Sequence, residues 1–195
     1  LSGKNFDNLN LQSAIFDKAN LSNTNFKNAD VDRARFAFAN LTGADLSDTN
    51  FTGTILIGAN LSGTNFTGTI LKGADLSHTN LTGADLSGKD LTGTILAGVD
   101  LSDVDMTDAI FTDADLSDVN ITETIQIEDD ISGKDFSYTN LTGADLSGKD
   151  LTGTILRGAD LSNAILTGAD LSGKDLSHTI LTDVDMSDMD LSDIT

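Results

Sequence analysis

The chain has 195 residues, among them 18 glycines and no proline, cysteine or tryptophan. The absence of cysteine excludes disulfides, thiol catalysis and Cys-ligated zinc, but it leaves the cell compartment undetermined. The 31 acidic and 11 basic side chains give a net charge of −20, which disfavours direct binding to nucleic acid or to an anionic membrane surface. No apolar run approaches the roughly 20 residues of a membrane span, so we expect none.

Apolar residues recur at every fifth position from Leu1 to Leu191. We call these 39 positions centres, and only Gln126 among them is not Leu, Phe, Ile, Val or Met. A period of five matches neither a helix nor a strand, whose side chains repeat about every 3.6 and every 2 residues. It predicts a coil that turns a corner every five residues. The centres and the mostly small residues two positions before them would line its narrow interior.

Glycine marks the corners of this coil. All 18 glycines lie two residues after a centre, where Asn and Asp are the usual substitutes, as at Asn23, Asn163 and Asp48. A type II turn requires positive φ at its third residue, and these residue types tolerate it best. The position two after each centre is therefore predicted to be a corner.

A longer repeat sets the number of corners in each coil. Asn-Leu-Thr-Gly-Ala-Asp-Leu-Ser recurs at residues 40–47, 80–87 and 140–147, with offsets that are multiples of 20. This predicts coils of four pentads that stack backbone to backbone in parallel. At about 4.8 Å for each stacked layer, the chain would form just under ten coils and a rod roughly 45 to 50 Å long.

The pentads resemble the A(D/N)LXX signature of the pentapeptide-repeat family. Examples are Ala-Asn-Leu-Thr-Gly at residues 39–43 and Ala-Asp-Leu-Ser-Gly at residues 84–88, and the match extends over the whole chain. The resemblance implies an all-β fold, a right-handed quadrilateral parallel β-helix. It also implies a link to gyrase-protecting and quinolone-resistance proteins, whose acidic rods resemble duplex DNA, although the family includes many members with no assigned activity.

No catalytic constellation stands out from the repeat. His78 and His178 are the two histidines, and both lie at predicted corners on one face, five coils apart. Serine or threonine follows 28 of the 39 centres, so a Ser-His-Asp combination has no special meaning here. We therefore predict no enzyme activity, no catalytic residue, no cofactor and no metal site.

The acidic side chains are concentrated in the second half of the chain. Residues 100–130 hold eleven acids and no base, whereas residues 1–40 hold five bases and four acids. Four successive corner acids would place one carboxylate on each edge of one coil. Calcium would suit oxygen ligands, but such ligands must converge and these diverge, so a solvated charged surface is the favoured interpretation. The candidate acidic interaction surface consists of Asp100, Asp103, Asp105, Asp108, Asp113, Asp115, Asp118 and Glu123.

Several residues depart from the repeat. Lysine takes the inward position two before a centre at Lys4, Lys89, Lys134, Lys149 and Lys174. We expect its stem to follow the apolar wall while its ammonium reaches an adjacent Asp or solvent. Isoleucine replaces the usual Asp or Asn just before nine centres, where it should point outward as a scattered surface residue or as part of a lateral packing surface. Gln126 at a centre and Asp129 at an inward position predict a local bulge.

The sequence favours a non-catalytic structural or protein-interaction rod, comprising one domain over residues 1–195 that is either uncapped or a fragment of a larger chain. Its partner would be another protein or a second copy bound through the rod ends, giving end-to-end filaments or a scaffold. The alternative is an acidic DNA mimic that binds DNA gyrase or another topoisomerase. A surface of Ser and Thr rows for ice or glycan is less favoured. Localisation stays open.

Overall fold

The computed structural model describes residues 1–101, 103–120, 131–186, 189 and 191–195. Within these residues the backbone forms no helix and no extended strand, but a succession of turns separated by single parallel β-bridges. Every bridge joins a residue just before a centre to its equivalent 20 positions later, from Asn5 with Asn25 to Asp160 with Ile180. The predicted coil of four pentads is therefore present throughout the described ranges.

The pentads of the described ranges turn at the predicted corner. The corner residues have positive φ, between 61° and 74° at glycine and between 54° and 63° at other residues. In the described residues from Lys4 to Thr179, the residue after a corner donates its N–H to the carbonyl of the centre three residues earlier, as Ala44 does to Leu41 at 2.9 Å. A positive φ at the third residue and a bond across four residues are the features of a type II turn. Glycine, Asn and Asp occupy most corners for this reason.

Nearly every backbone N–H of a pentad has a defined partner. Asn40 donates to the previous coil, Leu41 and Gly43 donate to the next coil, and Ala44 closes its own turn, with N···O distances of 2.8 to 3.0 Å. The N–H of Thr42 remains, and the side-chain oxygen of Asn40 accepts it at 3.0 Å. The Asp or Asn before a centre thus caps the one amide that coil stacking leaves over.

The centres and their inward neighbours fill the core. Centre side chains from Leu21 to Leu171 are almost all buried in the described ranges, with small residues such as Ala59 and Val99 beside them. In the first two coils every second centre is a phenylalanine, and Phe6 stacks on Phe26 with ring centroids 5.0 Å apart. Inward threonines such as Thr54 bond to backbone carbonyls, so their hydroxyls are satisfied inside the core.

The register is the same on both sides of residues 121–130. Asp115 bridges Asp135 and Asn120 bridges Asn140, again 20 residues apart. The bulge that we predicted at Gln126 and Asp129 lies outside the described residues and stays a prediction.

Among the residues that break the repeat, the inward lysines differ in burial and the isoleucines point outward as predicted. Lys134 is buried at the inward position, while Lys89, Lys149 and Lys174 are half-buried. Isoleucines before centres point outward, and Ile15 reaches 72% exposure. Arg35 also replaces the usual Asp or Asn before a centre and cannot accept the N–H of Ala37. Asp17 of the previous coil accepts this N–H instead, at 3.1 Å.

Candidate interaction surface

The corner acids of the predicted surface lie on the outside of one coil. Asp103, Asp108, Asp113 and Asp118 are all exposed, and we call them the acidic corners. Because successive corners belong to successive sides of a four-sided coil, the acidic corners occupy its four edges. They therefore lie on different edges of the coil and form a ring of carboxylates around the rod.

The other described acids of the surface lie on the sides of the coil, just before centres. Asp105 accepts the N–H and the hydroxyl of Thr107, at 3.0 and 2.8 Å. Asp115 accepts the N–H of Ser117 at 3.0 Å, and Asp100 accepts the side-chain amide of Asn120 at 2.9 Å. These side acids are thus engaged within the fold. Glu123 lies outside the described residues.

The same capping bond changes the acidity of side carboxyls elsewhere in the rod. Hydrogen bonds from the side chain and backbone of Ser87 lower the pKa of Asp85, with Lys89 adding a smaller effect. Bonds from Thr92 lower the pKa of Asp90 in the same way, and bonds from Ser147 lower that of Asp145. Hydrogen bonding to the ionised form favours that form. The carboxyls of Asp85, Asp90 and Asp145 therefore stay ionised to a lower pH than an ordinary aspartate.

The candidate surface therefore contains two kinds of acid with different availability. Asp105 and Asp115 accept backbone N–H groups and Asp100 accepts a side-chain amide, whereas the acidic corners extend from turns into solvent. Sequence reasoning grouped them together because both are aspartates in one charged segment. One signal could have separated them: Asn replaces Asp freely before centres, as at Asn60 and Asn80, which indicates that an acceptor oxygen and not a charge is needed there.

The two histidines are corner residues on the same edge. His78 and His178 have φ of 55° and 63°, and both are exposed. Within the described residues, no group of three or more His, Asp or Glu side chains is placed to hold a metal ion. No helix in that part of the chain is long and apolar enough to span a membrane.

A parallel solenoid with four pentads per coil and outward carboxylates defines a class of repeat protein. The family model for pentapeptide repeats matches this chain in eight copies, over residues 5–36, 29–68, 56–88, 90–123, 135–173 and 166–195. The chain belongs to the pentapeptide repeat family, which confirms the resemblance seen in its pentads.

Solved structures of the family are similar to this chain. HetL, a pentapeptide repeat protein involved in heterocyst differentiation regulation from the cyanobacterium Nostoc sp. strain PCC 7120, is 31% identical; the match covers 97% of this chain and 77% of HetL, with a TM-score of 0.47. QnrB1, a plasmid-mediated fluoroquinolone resistance protein, is 19% identical, with coverage of 98% and 89% and a TM-score of 0.33. Rfr23 from the cyanobacterium Cyanothece 51142 is 26% identical, with coverage of 57% and 87% and a TM-score of 0.29. No curated protein sequence matches the chain.

Proposed function

We propose that the chain is a non-catalytic rod, a right-handed β-helix of about ten coils, that binds other proteins along its surface. The observation that carries the proposal is the set of four exposed acidic corners around one coil, Asp103, Asp108, Asp113 and Asp118. Carboxylates fixed on a stiff backbone bind a basic partner without ordering a loop first, and they attract it over a distance that shortens with salt.

The geometry of the solenoid supports a binding role over a catalytic one. Successive corners along the chain lie on different edges of the coil. Two corners share an edge only when their numbers differ by a multiple of 20. Exposed groups of different chemistry are therefore spread over the rod, whereas groups in line along one edge form an extended surface. Such a surface suits recognition of a macromolecule, and repeat proteins use their surfaces in this way.

The proposal is tested by removing charge from the acidic corners. Asp108→Asn, Asp113→Asn and Asp118→Asn together form the corner variant, whose positions have φ between 54° and 58°. Asn23 and Asn163 already occupy such corners, so the fold should be kept. The matched variant, Asp48→Asn, Asp183→Asn and Asp193→Asn, removes equal charge from corners of other coils.

We expect proteins captured from an extract by the immobilised wild-type chain to be lost from the corner variant and kept by the matched variant. Circular dichroism and the thermal midpoint of each variant control for folding. Capture of the same proteins in the same amounts by all three chains would contradict a binding role for the acidic corners.

A second candidate, an acidic mimic of duplex DNA that binds gyrase or another topoisomerase, is supported by the same ring of carboxylates on a narrow rod. The expected result is inhibition of gyrase supercoiling by the purified chain, weakened in the corner variant and by added salt. Supercoiling that proceeds unchanged at a large excess of the chain would count against this candidate.

End-to-end assembly into filaments, or use as a scaffold, is a further form of the interaction role. It requires contacts between outermost coils, where Leu1, Leu9, Leu191 and Ile194 are exposed to 57%, 45%, 36% and 37%. Light scattering over a concentration series, with electron micrographs of the same samples, tests this form. Long rods of uniform width support it, and a constant small mass contradicts it.

A further inference from the structure

The exposed aromatic and imidazole rings of this chain share one edge of the rod. Apart from Phe38 and Tyr138, every aromatic residue of the sequence is a centre. Phe38 and Tyr138 are corners, with 61% and 55% exposure, and the two histidines of the chain, His78 and His178, are exposed corners as well. Their numbers differ by multiples of 20, so all four lie on the same edge, which we call the ring edge.

Glycine makes room for these rings along the rod. The residue one coil after Phe38 is Gly58, and a Cβ added there would lie 2.6 Å from the Phe38 ring. Gly98 and Gly158 stand in the same relation to His78 and Tyr138, and a Cβ at either position would collide with the ring. Each of these three rings therefore lies across the backbone of the next coil, in space that a side chain at the glycine would fill.

The spacing of the rings reads the same in both directions along the rod. Phe38 and His78 are two coils apart, His78 and Tyr138 are three, and Tyr138 and His178 are two. A second copy that runs antiparallel, with its twofold axis midway between the coils of Gly98 and Asp118, would place every ring opposite a ring. Phe38 would face His178, and His78 would face Tyr138. Such an isologous contact uses the same surface on both copies.

Two of the residue pairs on the side of the rod that leads into the ring edge fit the same arrangement, whereas Ile95 would face Asp115. Ile55 is half-buried and Ile155 is 46% exposed, and each would face the other across the twofold axis. Arg35, whose guanidinium holds Asp17 at 2.7 Å, would have Asp175 opposite. Asp75 would face Asp135, a like-charge pair that opposes the contact.

Charge along the rod also favours the antiparallel orientation. Residues 1–40 hold five bases and four acids, whereas residues 176–195 hold five acids and no lysine or arginine. In an antiparallel pair the near-neutral end of each copy lies beside the acidic end of the other. In a parallel pair the acidic ends would lie together and repel each other.

We propose that the ring edge is an interface between two copies of this chain, packed side by side and antiparallel. The rings supply apolar and aromatic contact, and the glycines between them let the two edges approach. Because each copy carries a charge of −20, the dimer should become tighter as salt screens the overall repulsion. The contact includes Asp118 but neither the rod ends nor the other three acidic corners, so it can be tested separately from partner binding by Asp103, Asp108 and Asp113.

Analytical ultracentrifugation of the full chain at high salt tests the interface. Phe38→Asn with Tyr138→Asn removes two rings and places Asn at corners, where the fold already accepts it. The control, Ile70→Asn with Ile110→Asn, removes exposed apolar side chains from another side at positions where Asn is also common. We expect a wild-type dimer, a dissociation constant raised by at least about tenfold in the ring variant, and an unchanged constant in the control.

Single cysteines test the orientation, because the chain has no cysteine of its own. In the antiparallel dimer Asp118 lies about one coil, roughly 5 Å, along the rod from Asp118 of the second copy. Lys18 on the same edge lies about nine coils, roughly 43 Å, from its counterpart. A short bis-maleimide should therefore link Asp118→Cys chains in pairs and leave Lys18→Cys chains single.

Three results would overturn the proposal. The first is a wild-type chain that stays monomeric at every salt and protein concentration. The second is equal linking of Asp118→Cys and Lys18→Cys, which would indicate a parallel pair. The third is a monomeric wild-type chain that insoluble cellulose or chitin retains, together with a ring variant that is not retained. This result would assign the ring edge to an extended glycan.

Discussion

At the scale of single residues, the preference for Asp or Asn before each centre has a specific physical cause. Coil stacking and the turn use four of the five amide N–H groups in a pentad, and the side-chain oxygen takes the fifth. Ser or Thr after the centre donates its hydroxyl to the same oxygen, as Thr42 does at 2.7 Å. The A(D/N)LXX signature is thus a record of backbone hydrogen bonding as well as of core packing.

Removing one cap should destabilise the rod, and exchanging it should not. Asn80 accepts the N–H of Thr82 at 3.0 Å and its hydroxyl at 2.6 Å. Asn80→Ala should lower the free energy of unfolding by about 1 to 2 kcal/mol, since an amide and a hydroxyl lose their acceptor. Asn80→Asp keeps the acceptor and should change it by less than about 0.5 kcal/mol. Urea unfolding measures both, and equal losses would show that the cap is not the cause.

Acid should weaken the rod through the aspartate caps. The pKa values of Asp85 and Asp145 are lowered, chiefly by hydrogen bonds from Ser87 and Ser147. A carboxyl whose pKa is lower in the folded chain stabilises the fold above its ordinary pKa, near 4, and this stabilisation is lost as the pH falls through the folded value.

Asp85→Asn with Asp145→Asn keeps both acceptors and removes both titrations. The decrease of the urea midpoint between about pH 7 and about pH 3 should therefore be smaller in this variant than in the wild type. A fall of the same size in both chains would show that these caps contribute nothing to the acid sensitivity.

At the scale of the turn, the corner glycines differ in what surrounds them. Gly73 has φ of 66° and open space around an added Cβ, whereas Gly58 has φ of 63° and the Phe38 ring in that space. Gly73→Ala should cost about 1 kcal/mol, the price of left-handed backbone for a residue with a Cβ. Gly58→Ala should cost more, because the ring must also move.

The comparison can be checked by urea unfolding of both variants in the wild-type background and in Phe38→Asn. The extra cost of Gly58→Ala should shrink when the ring is absent, and the cost of Gly73→Ala should stay the same. An extra cost that persists without the ring would mean that the backbone of the coil, and not Phe38, sets it.

Most of the coil could be predicted from the sequence, because its geometry repeats in the residue types. Leucine and phenylalanine at centres mark the interior, glycine with Asn and Asp marks the corners, and the repeats at residues 40–47 and 80–87 give the 20-residue register. The structure confirms these features in the described residues, and the outward isoleucines as well.

The division of the acidic surface could not be predicted in the same way. Whether Asp105 and Asp108 are equivalent depends on which amide is left over once both neighbouring coils are in place, and a list of charges does not contain that information. The position of the Phe38 ring over Gly58 likewise depends on a side-chain direction between two coils, which the one-dimensional repeat leaves open.

At the scale of the whole molecule, the rod combines local regularity with an uneven surface. Each coil contacts only its neighbours, so stability accumulates layer by layer and substitutions in well-separated coils should add. The charge and chemistry of the outward residues vary independently of this core. The sequence is near-neutral at residues 1–40 and acidic at residues 100–130, and aromatic and imidazole rings lie along one edge. The repeated core thus sets the shape of the rod, and the outward residues set its surface chemistry.

We propose that exposed corner carboxylates, and not the acids that cap the backbone, carry binding to partners. The most direct measurement is the affinity of a captured partner for the wild type, the corner variant and the matched variant as salt is raised. We predict weaker binding and a shallower salt dependence for the corner variant alone. With fewer carboxylates in the interface, there is less electrostatic attraction for salt to screen. The same affinity and the same salt dependence in all three chains would contradict the account.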